Sequence, residues 1–233
     1  MNGSVNSIET LGTLDGPGLR TVVFLNGCML RCKFCHNPEM FSLGELNTRP
    51  IDILKKVKSD KPYYKRNNGG VTFSGGDPLL QVDFLIETCR LLKKEGIHIA
   101  LDTSGVGFGD YDTLLDYIDL LIFDVKSVTK KGFFNLTGGN LDSVFKFLDV
   151  ANLKNKNFWV RQVIIPGLND NKDYILALKS FIIKYIKNVK RVELLPFHNM
   201  ARKKYEKLKI NYEYKELPSM DKAKIKDLYK YLV

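Results

Sequence analysis

The residues best equipped for chemistry are three cysteines within eight positions, Cys28-Met-Leu-Arg-Cys32-Lys-Phe-Cys35. Thiolates at these spacings can wrap one small metal centre from a single loop, but three of them do not complete a coordination shell. An iron–sulfur cubane held by three cysteines keeps one iron open, and an open iron can bind a substrate or cofactor. A zinc ion is the other reading, with His36 as fourth ligand, although a ligand directly after Cys35 converges awkwardly on one tetrahedral ion. The fourth cysteine, Cys89, lies in a helical pattern with Phe84, Leu85 and Leu92 and reads as a buried core thiol.

Other reactive residue types gather where short apolar runs stop. Thr21–Leu25 leads into Asn26-Gly27-Cys28, Gly70–Phe73 into Ser74-Gly75-Gly76-Asp77, and His98–Leu101 into Asp102-Thr103-Ser104-Gly105. Leu120–Phe123 leads into Asp124-Val125-Lys126, Phe158–Ile165 into Pro166-Gly167, and Arg191–Leu195 into Pro196-Phe197-His198. The runs are short and rich in β-branched or aromatic residues, so each reads as a buried strand. Amphipathic stretches lie between them, among them Pro50–Lys58, Val82–Glu95, Leu141–Ala151 and Asn171–Tyr185, and these read as helices.

This βα alternation predicts an α/β fold with a parallel sheet. A partial (β/α)6 TIM-like barrel suits the 233 residues better than a closed eight-stranded one, which takes about 250. Such folds place their sites at the C-terminal ends of strands, where the polar residues collect here. No linker divides the chain, so residues 1–233 read as a single domain, with the cysteine loop at 28–35 and a helical extension from about 200 to 233. Taken alone, Asp102 and Asp124 also suit helix N-caps, Ser74–Asp77 a plain βα turn, and Asp15-Gly16-Pro17-Gly18 a tight turn.

Hydrophobic residues make up 44% and charged residues 27% of the chain, an ordinary globular balance. No apolar run approaches the roughly 20 residues of a membrane span. Met1–Thr10 lacks a basic region followed by an apolar stretch, so a cytoplasmic protein is expected. The net charge of +10 is concentrated late: from Ala151 onward there are 19 lysines and arginines against 8 acidic residues. Segments such as Asp221–Lys230 alternate charged and apolar residues at helical spacing, as solvated helix faces do; an acidic partner is the other use of such a surface.

With Phe34 before its last cysteine, the Cx3CxxC loop resembles the signature of the radical S-adenosylmethionine (SAM) superfamily. An ordered set extends the likeness over nearly the whole chain: Asp15-Gly-Pro-Gly-Leu-Arg20, Cys35-His-Asn37, Ser74-Gly-Gly-Asp77, Leu101-Asp-Thr103, Asp124-Val-Lys126, Arg161, Pro166-Gly167 and Leu195-Pro-Phe-His198. Together these resemble the pyruvate formate-lyase activating enzymes, within the glycyl radical enzyme activating family.

The resemblance implies a barrel of the radical SAM type and a [4Fe-4S] cluster on Cys28, Cys32 and Cys35, whose open iron chelates the amino and carboxylate groups of SAM. Reduction of the cluster cleaves a C–S bond, and the 5′-deoxyadenosyl radical takes a hydrogen atom from one glycine of pyruvate formate-lyase. By the same resemblance, SAM is bound by Phe34, Cys35, His36, Asn37, Gly75, Gly76, Asp77, Asp124, Val125, Lys126 and His198. Asp102, Thr103 and Asp124 hold a monovalent cation beside the SAM carboxylate, and Asp15, His36 and Arg161 grip the glycine-bearing loop. The family usually carries Glu where this chain has Asp77, so Asp77→Glu is expected to be tolerated. An acidic electron donor such as flavodoxin or ferredoxin completes the expectation, with the enzyme a monomer that uses neither nucleic acid nor membrane.

Two other functions stay open at this level. One is activation of a different glycyl radical enzyme. Many such activators carry a cysteine-rich insert between the cysteine loop and the glycine pair, and His36–Ser74 here contains no cysteine. The other is a zinc-stabilised, basic nucleic-acid-binding protein, which predicts colourless protein and salt-dependent DNA binding.

Overall fold

The computed structural model describes residues 1–232. Two strands come first, β1 (Val5–Gly12) and β2 (Arg20–Leu25), and the cysteine loop follows, closed by a 3-10 turn at Pro38–Met40. Next come α1 (Pro50–Asn67), β3 (Gly70–Gly75), a 3-10 turn at Pro78–Leu80, α2 (Val82–Lys94), β4 (His98–Thr103), α3 (Tyr111–Asp116) and β5 (Leu120–Asp124). The remainder is α4 (Lys130–Thr137), α5 (Leu141–Leu153), β6 (Asn157–Ile164), α6 (Lys172–Tyr185), β7 (Val189–Pro196), α7 (Arg202–Leu208), α8 (Lys222–Leu228) and a last 3-10 turn at Tyr229–Tyr231. Polar side chains cap the helix starts that feed the sheet: Asp110 on α3, Thr129 on α4, Asn140 on α5 and Asn171 on α6 each accept an orphan backbone N–H.

The strands form one sheet in chain order, β1 to β7. The six strands from β2 to β7 are parallel, as the βα alternation requires. The seventh, β1, is antiparallel to β2 and corrects the six-strand expectation. Its sequence, Val-Asn-Ser-Ile-Glu-Thr-Leu-Gly, is mostly half-buried or exposed. It lies at an edge with one neighbour, so it lacks the apolar run that marks the central strands. β1 and β7 do not pair with each other, and the sheet is open.

Alternation along the parallel registers decides what faces inward. On the convex side, Phe73, Leu85, Phe123, Phe147 and Phe158 are fully buried between sheet and helices. On the concave side a small apolar cluster, Ala100, Leu120 and Ile122 with Trp159 against it, fills the lower lumen. Two residues further along those strands the lumen turns polar, at Asp102, Asp124 and Arg161, and Asp124 pairs in register with Arg161.

Arg20, with no exposed surface, knits the base. Its guanidinium donates to the Thr72 hydroxyl at 2.5 Å, the Pro17 carbonyl at 3.1 Å and the Val71 carbonyl, and meets His98 Nδ1 at 3.3 Å. Thr72 in turn donates to the Asp15 carbonyl at 2.6 Å. Burial without a paired carboxylate lowers the Arg20 pKa to about 10. The Asp15–Gly18 turn is therefore fastened through its carbonyls to β2 and β3.

Candidate active site

The cysteine loop leaves the end of β2 and is seated by backbone bonds on both sides. The Gly27 and Cys28 N–H groups donate to the Met40 and Phe41 carbonyls at 2.9 and 3.2 Å. The Arg31 and Lys33 N–H groups donate to Thr137 and Leu136 at 2.8 and 3.0 Å. The last two acceptors are end-of-helix carbonyls of α4, which have no intrahelical donor. From far along the chain, the Tyr205 hydroxyl of α7 donates to the Cys35 carbonyl at 3.1 Å. Lys204 donates to Asn37 Oδ1 at 3.1 Å and to Glu39 at 2.5 Å.

Cys28, Cys32 and Cys35 all face one cavity of about 240 Å³. Burial pushes the Cys28 thiol up to about 11, with Asp77 adding to it, and the Cys32 thiol up to about 12; Cys35 is raised for the same first reason. Backbone N–H groups of Leu30 and Asn37 point at Cys28 Sγ and Cys35 Sγ, both at 3.4 Å, and favour their thiolates. The arrangement is a set of three protonated thiols that a cluster can deprotonate on binding. Among the described residues, no three His, Cys, Asp or Glu side chains group as ligands of a single metal ion.

The same cavity is bounded by Gly75 and Gly76 at the end of β3. Gly75 has φ +119°, a region that side chains avoid, and a Cβ there would strike the Leu25 backbone. A Cβ on Gly76 would strike the carbonyl group of Gly27 and come within 2.8 Å of the Met40 carbonyl oxygen. The pair is thus a close-packed backbone cradle beside Cys28. The next residue, Asp77, also lines the cavity; its carboxylate takes four hydrogen bonds from protein donors and is 2% exposed.

Asp102 and Asp124, on the neighbouring strands β4 and β5, and Lys126 just beyond β5 line the same cavity. Lys126 Nζ lies 2.7 Å from Asp124 Oδ2 and 5.4 Å from the Phe34 ring centroid. Burial opposes the Lys126 charge, but Asp124, Cys32 and Asp102 outweigh it and raise its pKa. Asp102 accepts from the Ser74 hydroxyl at 2.8 Å. Burial and then Asp124 push Asp102 up to about 7, against the pull of Arg161. Neither Asp102 nor Asp124 caps a helix; α3 and α4 use Asp110 and Thr129. Thr103 donates its hydroxyl to Asp77 at 2.7 Å.

His36 lines the cavity and stacks on His198, whose Nδ1 is buried with no partner. Asn37 is held by Lys204. Arg161 donates to Glu193 at 2.9 Å and to the Leu14 carbonyl at 2.5 Å, next to Asp15. Burial raises the Asp15 pKa, and Arg161 and Arg20 oppose it. Of the expected site residues, Val125, His198 and Asp15 do not line the cavity; Val125 is 3% exposed and its N–H donates to the Arg161 carbonyl at 2.8 Å. The sequence reading missed Ser104, which holds Asp77, and Tyr205 and Lys204, which brace the cysteine loop from α7. Ser104 follows Asp102-Thr103 and was within reach; the α7 contacts, some 170 positions from Cys35, left no local signal.

These residues fit the cofactors the sequence implies: three thiols, two close-packed glycines and the charged group of Asp102, Asp124 and Lys126 line one cavity. A family model described as the radical SAM superfamily matches residues 22–178, which take in all three thiols and the cradle. The chain is 46% identical over 231 residues to the pyruvate formate-lyase-activating enzyme of Clostridium pasteurianum, covering 99% of this chain and 97% of that one. It is 34% identical over 241 residues to the enzyme of that name from Staphylococcus epidermidis, covering 100% and 96%. Among solved structures, Streptococcus suis SuiB bound to S-adenosylmethionine shares the fold, with TM-score 0.63 and 16% identity over 91% of this chain and 48% of that one. The cluster reading of the cysteine loop therefore prevails over zinc. The chain belongs to the radical SAM superfamily and, within it, to the family of pyruvate formate-lyase-activating enzymes.

Proposed function

We propose that this chain activates pyruvate formate-lyase by removing a hydrogen atom from one of its glycines. The observation that carries this reading is the shared cavity: three thiols, a glycine cradle and the Asp102–Asp124–Lys126 group all line it. When bound, a [4Fe-4S] cluster and SAM supply the one-electron chemistry that breaks a C–H bond.

The roles of the residues follow from their positions. Cys28, Cys32 and Cys35 hold the cluster. The Gly75–Gly76 backbone receives the amino end of SAM, and Lys126, already on the polar side of the cavity, balances its carboxylate. Asp102 and Asp124 bring two further negative charges to that point, and a monovalent cation between carboxylates relieves their repulsion. The backbone from Phe34 to Asn37, with the His36–His198 stack, bounds the adenosyl end. Arg161 and the fastened turn at Asp15 offer the edge on which a glycine-bearing loop is laid.

An acidic one-electron donor such as flavodoxin or ferredoxin suits the basic surface of α7, which lies directly over the cysteine loop. We assign the chain one domain and a monomeric, cytoplasmic existence; among the described residues no helix is long and apolar enough to cross a membrane.

The test is anaerobic. The reconstituted protein is reduced with SAM and pyruvate formate-lyase, and the mixture is examined by EPR for a glycyl radical. A radical signal on that enzyme is expected. SAM cleavage without it, together with a signal on another glycyl radical enzyme, would reassign the target.

A further inference from the structure

Asp77 sits where three strand ends meet. Its Oδ1 accepts from the Leu79 N–H at 3.1 Å and the Thr103 hydroxyl at 2.7 Å. Its Oδ2 accepts from the Ser104 N–H at 3.0 Å and the Ser104 hydroxyl at 2.5 Å. The Thr103 oxygen also accepts from the Gly105 N–H at 3.0 Å, which fixes its own proton toward Asp77. On the other side, the Asp77 N–H donates to the Gly27 carbonyl at 2.8 Å, one residue before Cys28.

An ionised carboxylate offers about four acceptor positions. Protein donors fill them here, and nothing of the group is left for an ammonium. The chain also holds this carboxylate on the short side chain. A glutamate would carry its oxygens about one C–C bond, ~1.5 Å, further, past Thr103 and Ser104 in a place with 2% exposure.

From this we infer that Asp77 is a positioning residue and not a contact of SAM. It ties Gly27, the Gly75–Gly76 cradle and the Thr103–Ser104 end of β4 into one piece, and so sets the distance between the first cluster cysteine and the backbone that receives SAM. This rests on the reading of the cavity as a SAM site. It also reverses the expectation for Asp77→Glu, which becomes a disruptive change.

The experiment uses cluster-loaded enzyme and two probes, SAM and its analogue lacking the α-amino group, with affinities measured by calorimetric titration. Asp77→Asn replaces two acceptor positions by donors facing donors and is expected to weaken both probes by the same factor, roughly tenfold or more. Ser104→Ala removes one donor, keeps the carboxylate, and is expected to give a smaller loss, again equal for both probes. The double variant adds little to Asp77→Asn, because both act on one network. At saturating SAM, the EPR spectrum of the reduced cluster in Asp77→Asn is expected to differ from wild type. A loss confined to SAM overturns the inference, since a direct contact to the amino group predicts that, and so does an unchanged affinity in Ser104→Ala. If Asp77→Asn does not fold, Ser104→Ala alone decides. Failure of the wild type to bind SAM would instead refute the underlying site.

Discussion

The imidazole of His36 lies on that of His198, ring centroids 4.0 Å apart and planes inclined by 20°. His36 Nε2–H donates to the His198 carbonyl at 2.9 Å, which fixes the tautomer. The contact joins the cysteine loop to the end of β7, 162 positions away. His198→Ala removes the ring that backs His36, which lines the cavity. It is expected to weaken SAM binding about three- to tenfold, the worth of one aromatic pair, with iron content unchanged. His198→Phe keeps the plane and should recover most of the affinity in the same titration.

The three loop thiols are protonated at neutral pH because burial raises each of them. Cluster loading must expel those protons, so it becomes easier as the pH rises. Reconstitution at about pH 9 should outpace that at about pH 7, with proton uptake by the buffer as the direct readout. Alanine at Cys28, Cys32 or Cys35 should abolish the brown colour. Cys89→Ala should retain it, since Cys89 is fully buried in α2 away from the cavity.

Asp102 has an ordinary pKa of 3.8 and is raised to about 7 in the fold. Between those values the folded chain keeps a proton that the unfolded chain has lost, so stability falls as pH rises and the penalty is complete above about 7. In cluster-free protein, Asp102→Asn should raise Tm at about pH 8, by less at about pH 5, and hardly at all below about pH 4. Potassium or sodium should restore part of the wild-type loss at the higher pH and leave the variant unmoved. Equal responses in the two proteins would argue against a cation between Asp102 and Asp124.

Lys203 and Lys207 are exposed on α7, whereas Lys204 is engaged with Glu39 and Asn37. Neutralising Lys203 and Lys207 together should slow cluster reduction by an acidic protein donor several-fold at low salt. Reduction by dithionite should be unaffected. Lys204→Ala should instead disturb the cysteine loop, visible as slower cluster loading before any reductant is added.

The parallel strands and the chemistry at their ends were legible because both are local: an apolar run followed at once by glycine or a charged residue. The thiol spacing was legible for the same reason. β1 was not, because an edge strand needs no continuous apolar run. The engagement of Asp77 was not legible either. A carboxylate after two glycines looks available until Thr103 and Ser104, 26 and 27 positions on, are seen to converge on it. The bracing of the loop by Tyr205 and Lys204 joins chain segments that only the fold brings together.

The sheet leaves β1 and β7 as two unpaired edges. A closed tube admits what is small enough to drop through its mouth, or a chain fed in by a free end. An open trough can be loaded from the flank, so a loop still anchored at both ends in a folded partner can be laid into it without being cut or threaded. Leu14, 80% exposed, reaches from the β1–β2 turn to Arg161 of β6 through its carbonyl and bounds that opening. Entry from the flank thus asks for a segment that can reach the trough, and not for a free chain end.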